Sequence, residues 1–195
     1  AIVINTCCFI HDAKEESVNT ILEMAEYKKT GSCKALIVTG CMAQRYKEEI
    51  TQEIPEVDAV LGTTSYGDIV KALNEAQAGN VFQEFRDINE LPEDSGRRVL
   101  TTGGHFGYLK IAEGCDKHCT YCIIPSLRGR FRSVPEERLL AQAEYMASQG
   151  VKELILVAQE TTVYGTDLYG KKTLHILLKK LCQIKGIRWI RVLYC

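Results

Sequence analysis

Apolar residues in the first third of the chain alternate between continuous runs and helical spacing. Continuous runs of mostly aliphatic residues indicate strands that are buried on both faces, at residues 1–5, 35–39 and 57–61. Apolar positions three or four residues apart indicate amphipathic helices, at residues 12–31, 42–53 and 66–77. Strands separated by helices of this length are typical of βαβ units, so we predict an α/β fold with a parallel sheet.

This alternation stops after residue 78 and returns near residue 105. The intervening stretch is rich in Gly, Asn, Pro, Asp and Ser, which favours a linker with one short strand at residues 81–85. Beyond it come strand-like runs at residues 108–112, 154–158 and 189–193, and helical spacing at residues 135–150 and 173–184. We therefore predict two domains, residues 1–78 and 105–195, joined by a linker at residues 79–104.

Charge and hydropathy argue against several functional classes. The chain has 195 residues and a net charge of −1, so we expect no direct nucleic-acid binding through bulk positive charge. No run approaches the about 18 apolar residues of a membrane helix, and no signal-peptide pattern is visible. These features predict a cytoplasmic protein without membrane attachment. The chain begins in an apolar run and stops inside a predicted strand, so we expect truncation at both ends.

Cysteine content is the unusual feature of this composition. The chain has nine cysteines, an odd number without a secretory context, which favours metal or redox chemistry over disulfides. Cys115, Cys119 and Cys122 form a C-x3-C-x2-C pattern directly after a predicted strand. Three thiolates on a 4Fe-4S cluster leave one iron open, as a catalytic site requires. A zinc site is the alternative, although zinc sites prefer two C-x2-C-like pairs and the chain has no second pair.

Motifs along the whole chain resemble one enzyme family. C-x3-C-x2-C with an aromatic residue before the last Cys is similar to radical S-adenosylmethionine (SAM) enzymes. The string EGCDKHCTYCIIPSLRGRFRS at residues 113–133 resembles the methylthiotransferases among them. Other stretches also resemble this family, namely INTCCFIHDAKEES (4–17), VTGCMAQRY (38–46), EIPEVDAVLGT (53–63) and VAQETTVYGTDLYGKK (157–172). Within the family, the resemblance is greatest to the branch that modifies an aspartate of ribosomal protein S12.

The resemblance implies two 4Fe-4S clusters. It assigns Cys115, Cys119 and Cys122 to the cluster that binds SAM, and Cys7 and Cys41 to a second cluster, whose third ligand would lie upstream of Ala1. Cys8 adjoins Cys7, but neighbouring side chains of an extended segment point in opposite directions, so we assign Cys7 by its motif position.

The resemblance also implies a SAM site at the end of the strand at residues 154–158. There, Gln159 and Glu160 would accept hydrogen bonds from the SAM ammonium, which are strong because they are charge-assisted. Tyr121, the aromatic residue before the last cysteine of the loop, is a further candidate cofactor contact.

The implied fold is an incomplete flavodoxin-like parallel sheet followed by the first half of a radical SAM (β/α) barrel. The implied activity is transfer of a methylthio group to the β-carbon of an aspartate in ribosomal protein S12, supported by an electron donor and a sulfur source. A tRNA adenosine methylthiotransferase of the MiaB type is the first alternative, since it shares both cluster motifs. A non-catalytic iron–sulfur protein is the second, but it would need a fourth protein ligand per cluster.

Two further groups are weaker candidates for contacts with substrate. Arginines alternate after the cysteine loop, and the YGTDLYG segment is predicted to lie on the active face of the second domain. These residues are Arg128, Arg130, Arg132, Tyr164, Asp167 and Tyr169.

Overall fold

The computed structural model describes residues 1–92, 98–101 and 103–195. By its internal contacts the chain divides into two units. Unit 1 comprises Ala1–Pro92 and Ser126–Arg128, and unit 2 comprises Glu93–Pro125 and Gly129–Cys195.

Unit 1 is built on a four-stranded parallel sheet. Its strands lie side by side in chain order: β1 (Ile2–Thr6), β2 (Leu36–Gly40), β3 (Ala59–Leu61) and β4 (Phe82–Glu84). The register places Ile4 opposite Val38, and Val38 opposite Val60. Every residue of β2 is buried, as the continuous apolar run predicted. The parallel α/β architecture predicted for this part of the chain is therefore confirmed.

The helices of unit 1 alternate with these strands. They are α1 (His11–Lys29), α2 (Cys41–Arg45), α3 (Lys47–Glu53), a 3₁₀ turn (Tyr66–Asp68) and α4 (Ile69–Gln77). The prediction of one continuous helix at residues 42–53 was wrong. Tyr46 leaves the helical region, with φ −120° and ψ 36°, and separates α2 from α3. Its ring lies 5.0 Å from the guanidinium of Arg45 and 5.7 Å from the ammonium of Lys14, so cation–π contacts hold this break.

The segment predicted as a linker falls partly within unit 1. Residues 79–92 belong to that unit, and β4 lies where the short strand was expected and pairs with β3. The predicted linker also includes residues 93–97 and 102, which lie outside the described residues. The boundaries of the two predicted domains stay a prediction.

Unit 2 contains a three-stranded parallel sheet in the order β5 (Phe106–Lys110), β8 (Glu153–Val157) and β9 (Trp189–Val192). Its helices are α5 (Ile124–Arg128), whose last three residues count with unit 1, α6 (Glu136–Ser148), α7 (Thr166–Tyr169) and α8 (Leu174–Leu181). A short antiparallel pair, β6 (Ala112–Glu113) with β7 (Arg132–Ser133), encloses the cysteine loop in sequence. None of the described helices is both long and apolar enough to cross a membrane.

The two faces of the unit 2 sheet differ in their surroundings. Side chains of one face, including Leu109, Leu154 and Leu156, are fully buried in a core shared with α6 and α8. On the other face, Arg191 donates to Glu153 over 2.8 Å from Nε to Oε1. The sheet therefore has its hydrophobic core on one side, and the parallel strands bring their carboxyl ends to one edge.

Candidate active site

Gly114 sets the start of the cysteine loop, directly after β6. Its φ of +76° is in the left-handed region, where glycine is favoured. A Cβ at this position would lie 2.6 Å from the carbonyl oxygen of Gly129 and closer still to that of Arg130. The amide of Cys115 donates to the Gly129 oxygen over 3.2 Å. The backbone of Gly129 and Arg130, where the chain leaves the loop, thus fixes the position of Cys115.

The three cysteines follow on one irregular loop. The amide of Cys122 donates to the carbonyl of Cys119 over 2.9 Å, which forms a tight turn between them. All three are free thiols: Cys119 is exposed, and Cys115 and Cys122 are partly exposed. The Tyr121 side chain is 88% exposed. Within the described ranges, no three His, Cys, Asp or Glu side chains form a group that could hold a metal ion.

The chemistry of this loop nevertheless fits an iron–sulfur cluster. Thiolates are the usual protein ligands of such clusters, and three of them lie within eight consecutive residues of this loop. Because metal binding and folding are coupled, ligands need not stand in their final positions without the metal.

Beside this loop, a buried polar pair links the ends of β6 and β8. The Glu113 carboxylate is 3% exposed and accepts from the amide nitrogen of Gln159 over 3.2 Å. Glu113 also pairs with the ammonium of Lys110. The Gln159 side-chain oxygen is buried and has no hydrogen-bond partner. A buried acceptor in this state is costly, so its position suits a ligand that donates a hydrogen bond.

Glu160 lies next to Gln159 and is tied down on both carboxylate oxygens. Its Oε1 accepts from the amide of Thr162 over 3.0 Å and from the Thr162 hydroxyl, while its Oε2 pairs with the ammonium of Lys117. Burial raises the pKa of Glu160, but the hydrogen bonds from Lys117 and Thr162 outweigh burial and leave that pKa below its usual range. The hydrogen bond to Glu160 raises the pKa of Lys117. Both groups are therefore charged near neutral pH.

In unit 1, the candidate cysteines follow neighbouring parallel strands. Cys7 comes directly after β1, and its amide donates to the Ser17 hydroxyl over 3.0 Å. Cys41 begins α2 directly after β2, and Gly40 between strand and helix has a φ of +98°. The Nε of Arg128, which counts with this unit, donates to the Cys41 sulfur over 3.2 Å. The two predicted ligands thus lie at the same edge of the sheet.

Cys8 differs from its neighbour Cys7. Cys8 is 4% exposed, whereas Cys7 is exposed, as expected for adjacent residues that point in opposite directions. Burial raises the pKa of the Cys8 thiol, and the nearby Cys41 raises it further, while Arg45 partly offsets both.

Two weaker candidates for substrate contact make hydrogen bonds within the fold. Tyr164 is 1% exposed, and its hydroxyl donates to the carbonyl of Val134 over 2.9 Å. Asp167 accepts from the backbone and the hydroxyl of Ser133. Sequence reasoning also missed Glu113 and Lys117. One feature of the sequence could have indicated Glu113: it is a charged residue at the end of an apolar strand, just before the cysteine motif.

Comparisons with known proteins found two matching family models and several relatives. Residues 109–194 match the model of the radical SAM superfamily, and residues 1–62 match an uncharacterised protein family, UPF0004. Over 194 residues, covering all of this chain, it is 66% identical to the ribosomal protein uS12 methylthiotransferase RimO of Lachnoclostridium phytofermentans. Along its whole length, the chain is similar to methylthiotransferases, and its second part is similar to the radical SAM superfamily. A second member of that name, from Clostridium botulinum strain Eklund 17B, is 54% identical over 195 residues, again all of this chain. The chain described here spans 44% of the length of each of these relatives.

A solved structure supports the fold of this chain. The radical SAM methyltransferase TsrM from Kitasatospora setae, solved with cobalamin and a [4Fe-4S] cluster, aligns with a TM-score of 0.56. The alignment covers 91% of this chain and 39% of TsrM at 10% sequence identity. At that identity the likeness concerns the fold alone.

Proposed function

We propose that the protein is a radical SAM methylthiotransferase that adds a methylthio group to the β-carbon of an aspartate in ribosomal protein S12. The observation that carries this proposal is the loop of three free cysteines beside the buried polar ends of β6 and β8. The high identity to relatives named for ribosomal protein uS12 supports the choice of substrate. We further propose that the protein acts in the cytoplasm, where ribosomes are present.

Two sets of cysteines would hold the metal clusters. Cys115, Cys119 and Cys122 would ligate three irons of one 4Fe-4S cluster and leave the fourth iron for SAM. Cys7 and Cys41 would contribute to a second 4Fe-4S cluster. When bound, these groups supply the one-electron chemistry that activates an otherwise inert C–H bond and the sulfur to be inserted. An electron donor and a sulfur source must act as partners.

The polar residues at the strand ends would bind and orient SAM. The Glu160 carboxylate is buried and ionised, so it suits the SAM ammonium through a charge-assisted hydrogen bond. The buried side-chain oxygen of Gln159 is free to accept from a second donor of the ligand. Tyr121 is exposed on the same loop as the cysteines and would cover the bound cofactor. The role of these residues is positioning, because a radical reaction depends on the reacting atoms being held in line and away from water.

The decisive experiment expresses the complete gene in a host that lacks its own S12 methylthiotransferase. Ribosomal proteins and tRNA nucleosides from the same cells are then analysed by mass spectrometry. We expect a methylthio-aspartate in S12 and no change in the tRNA. A new methylthio-adenosine with unmodified S12 would instead place the protein with the tRNA-modifying enzymes. No modification of either, with iron bound, would favour a non-catalytic iron–sulfur protein.

A further inference from the structure

The ammonium of Lys117 occupies the only side of Glu160 that remains for a ligand. The Oε1 atom of Glu160 already accepts two hydrogen bonds from Thr162, and Lys117 pairs with Oε2. The side chain of Glu160 is 7% exposed, whereas that of Lys117 is 61% exposed. A cationic ligand that approaches the Glu160 carboxylate therefore competes with the Lys117 ammonium, which can move away into solvent.

We infer that Lys117 is a displaceable stand-in for the ligand's ammonium group and a positioning residue for the cysteine loop. This inference rests on the proposed function, because it takes the SAM ammonium as the group that replaces Lys117. Removing Lys117 without replacement would leave the Glu160 carboxylate with only the hydrogen bonds from Thr162, which is unfavourable. Replacement by another ammonium keeps the charge balanced, whereas two ammonium groups on one oxygen would repel each other.

The exchange links ligand binding to the cysteine loop. Lys117 lies between Cys115 and Cys119, so its ion pair tethers the loop to the residue after β8. A ligand with an ammonium group releases this tether on binding, but a neutral ligand does not. The pair thus discriminates by charge, and it does so at the cost of some affinity for the correct ligand.

This inference predicts that Lys117→Gln binds SAM more tightly than the wild type does. Because the competing pair is partly exposed, the expected gain is about two- to fivefold in Kd. The affinity for 5′-methylthioadenosine, which lacks the ammonium, should not change. Lys117→Arg retains a competing cation and should bind SAM as the wild type does. Glu160→Gln should bind SAM more weakly and leave the affinity for 5′-methylthioadenosine unchanged.

The experiment uses protein from the complete gene, reconstituted without oxygen, with iron content and visible absorption checked to be equal across variants. Affinities are measured by equilibrium dialysis. The matched control is Lys180→Gln, which removes a comparable ion pair with Glu136 between α8 and α6 and should change neither affinity. Weaker or unchanged SAM binding by Lys117→Gln, with normal binding by the wild type, would overturn this inference alone. A wild-type protein that binds no SAM would overturn the proposed function as well.

Discussion

Ser133 and Asp167 are joined by two hydrogen bonds across 34 positions of sequence. The Asp167 carboxylate accepts from the Ser133 amide over 2.8 Å and from its hydroxyl over 2.6 Å. The same hydroxyl accepts from the amide of Gly165 over 2.9 Å. Ser133 is fully buried at the end of β7, so this pair fastens the segment around α7 to the strand that leaves the cysteine loop.

Replacing Asp167 should therefore lower the free energy of unfolding. Asp167→Ala leaves the buried Ser133 amide without its acceptor, and we expect a loss of about 1–3 kcal/mol in the free energy of unfolding. Asp167→Asn keeps an oxygen that can accept and should lose less. Urea denaturation followed by circular dichroism measures both. Asp12→Ala, in the exposed first turn of α1, is the control and should lose about 0.3–1 kcal/mol. Equal losses at both positions would contradict the role of Asp167 as the acceptor for the buried Ser133 amide.

Gly114 should tolerate no side chain. Gly114→Ala places a Cβ against the backbone of Gly129 and Arg130 in addition to imposing left-handed strain, so the cysteine loop must shift. We expect a loss of at least about 2 kcal/mol in stability, together with lower iron content after reconstitution. Gly170→Ala separates the two effects, because Gly170 has a φ of +68° but no neighbouring atom within 4 Å. Its loss should stay near 1–2 kcal/mol, with iron content unchanged, and the measurements are thermal denaturation and iron analysis.

Single cysteine substitutions should show which thiols ligate each of the two clusters and which thiols ligate neither. Serine at position 115, 119 or 122 should remove the iron of one cluster and abolish SAM cleavage, because a serine hydroxyl is a poor substitute for thiolate. Serine at position 7 or 41 should remove the iron of the other cluster and leave SAM cleavage in place. Cys8→Ser and Cys182→Ser should retain all iron. Anaerobic reconstitution with iron and sulfide analysis provides the measurement, and full iron content in Cys119→Ser would refute the loop as a cluster site.

The buried Tyr164 should make stability sensitive to alkaline pH. Burial raises the pKa of its phenol above the ordinary value of about 10, so the folded state favours the neutral form. The stability that this group contributes is complete below pH 10 and is lost as the pH rises from there towards the folded-state pKa. Tyr164→Phe loses the hydrogen bond to Val134, about 1 kcal/mol at pH 7. The difference in melting temperature between Tyr164→Phe and the wild type should become smaller above pH 10. Tyr169→Phe, which alters an exposed ring, should show no such pH-dependent change.

Local patterns in the sequence sufficed for most strands of the two parallel sheets and for the cysteine loop. The strand predicted at residues 108–112 is divided at Ile111 between β5 and β6, and β1, predicted to be buried on both faces, is buried at alternate residues. A buried run such as residues 35–39 reveals β2 because every side chain of that strand faces apolar surroundings. The C-x3-C-x2-C spacing likewise reveals the loop, since its chemistry resides in neighbouring positions. Contacts between distant residues left no such pattern. The ion pair of Lys117 with Glu160 and the hydrogen bonds of Asp167 with Ser133 depend on how β6, β7 and β8 come together.

The same limit applies to two residues predicted as weaker candidates for substrate contact. Tyr164 and Asp167 are polar residues in a segment rich in turns, and such a segment commonly carries function. Only their partners show that Tyr164 packs inside the unit and that the exposed Asp167 binds Ser133. The break at Tyr46 was also hidden, because the apolar spacing continues through it and its cation–π contacts involve Lys14 from another helix.

The register of the first sheet has a consequence for synthesis of the protein. Ile2 of β1 pairs with Leu36 of β2, so β1 emerges from the ribosome 34 residues ahead of its partner strand. At ordinary elongation rates of about 5–20 residues per second, the strand waits on the order of 2–7 s. Burial alternates along β1, and Val3 is 48% exposed in the folded protein. While it is unpaired, β1 is therefore less prone than β2 would be to pair with strands of other nascent chains. The fully buried strand β2 emerges only once α1 and β1 are available to cover it.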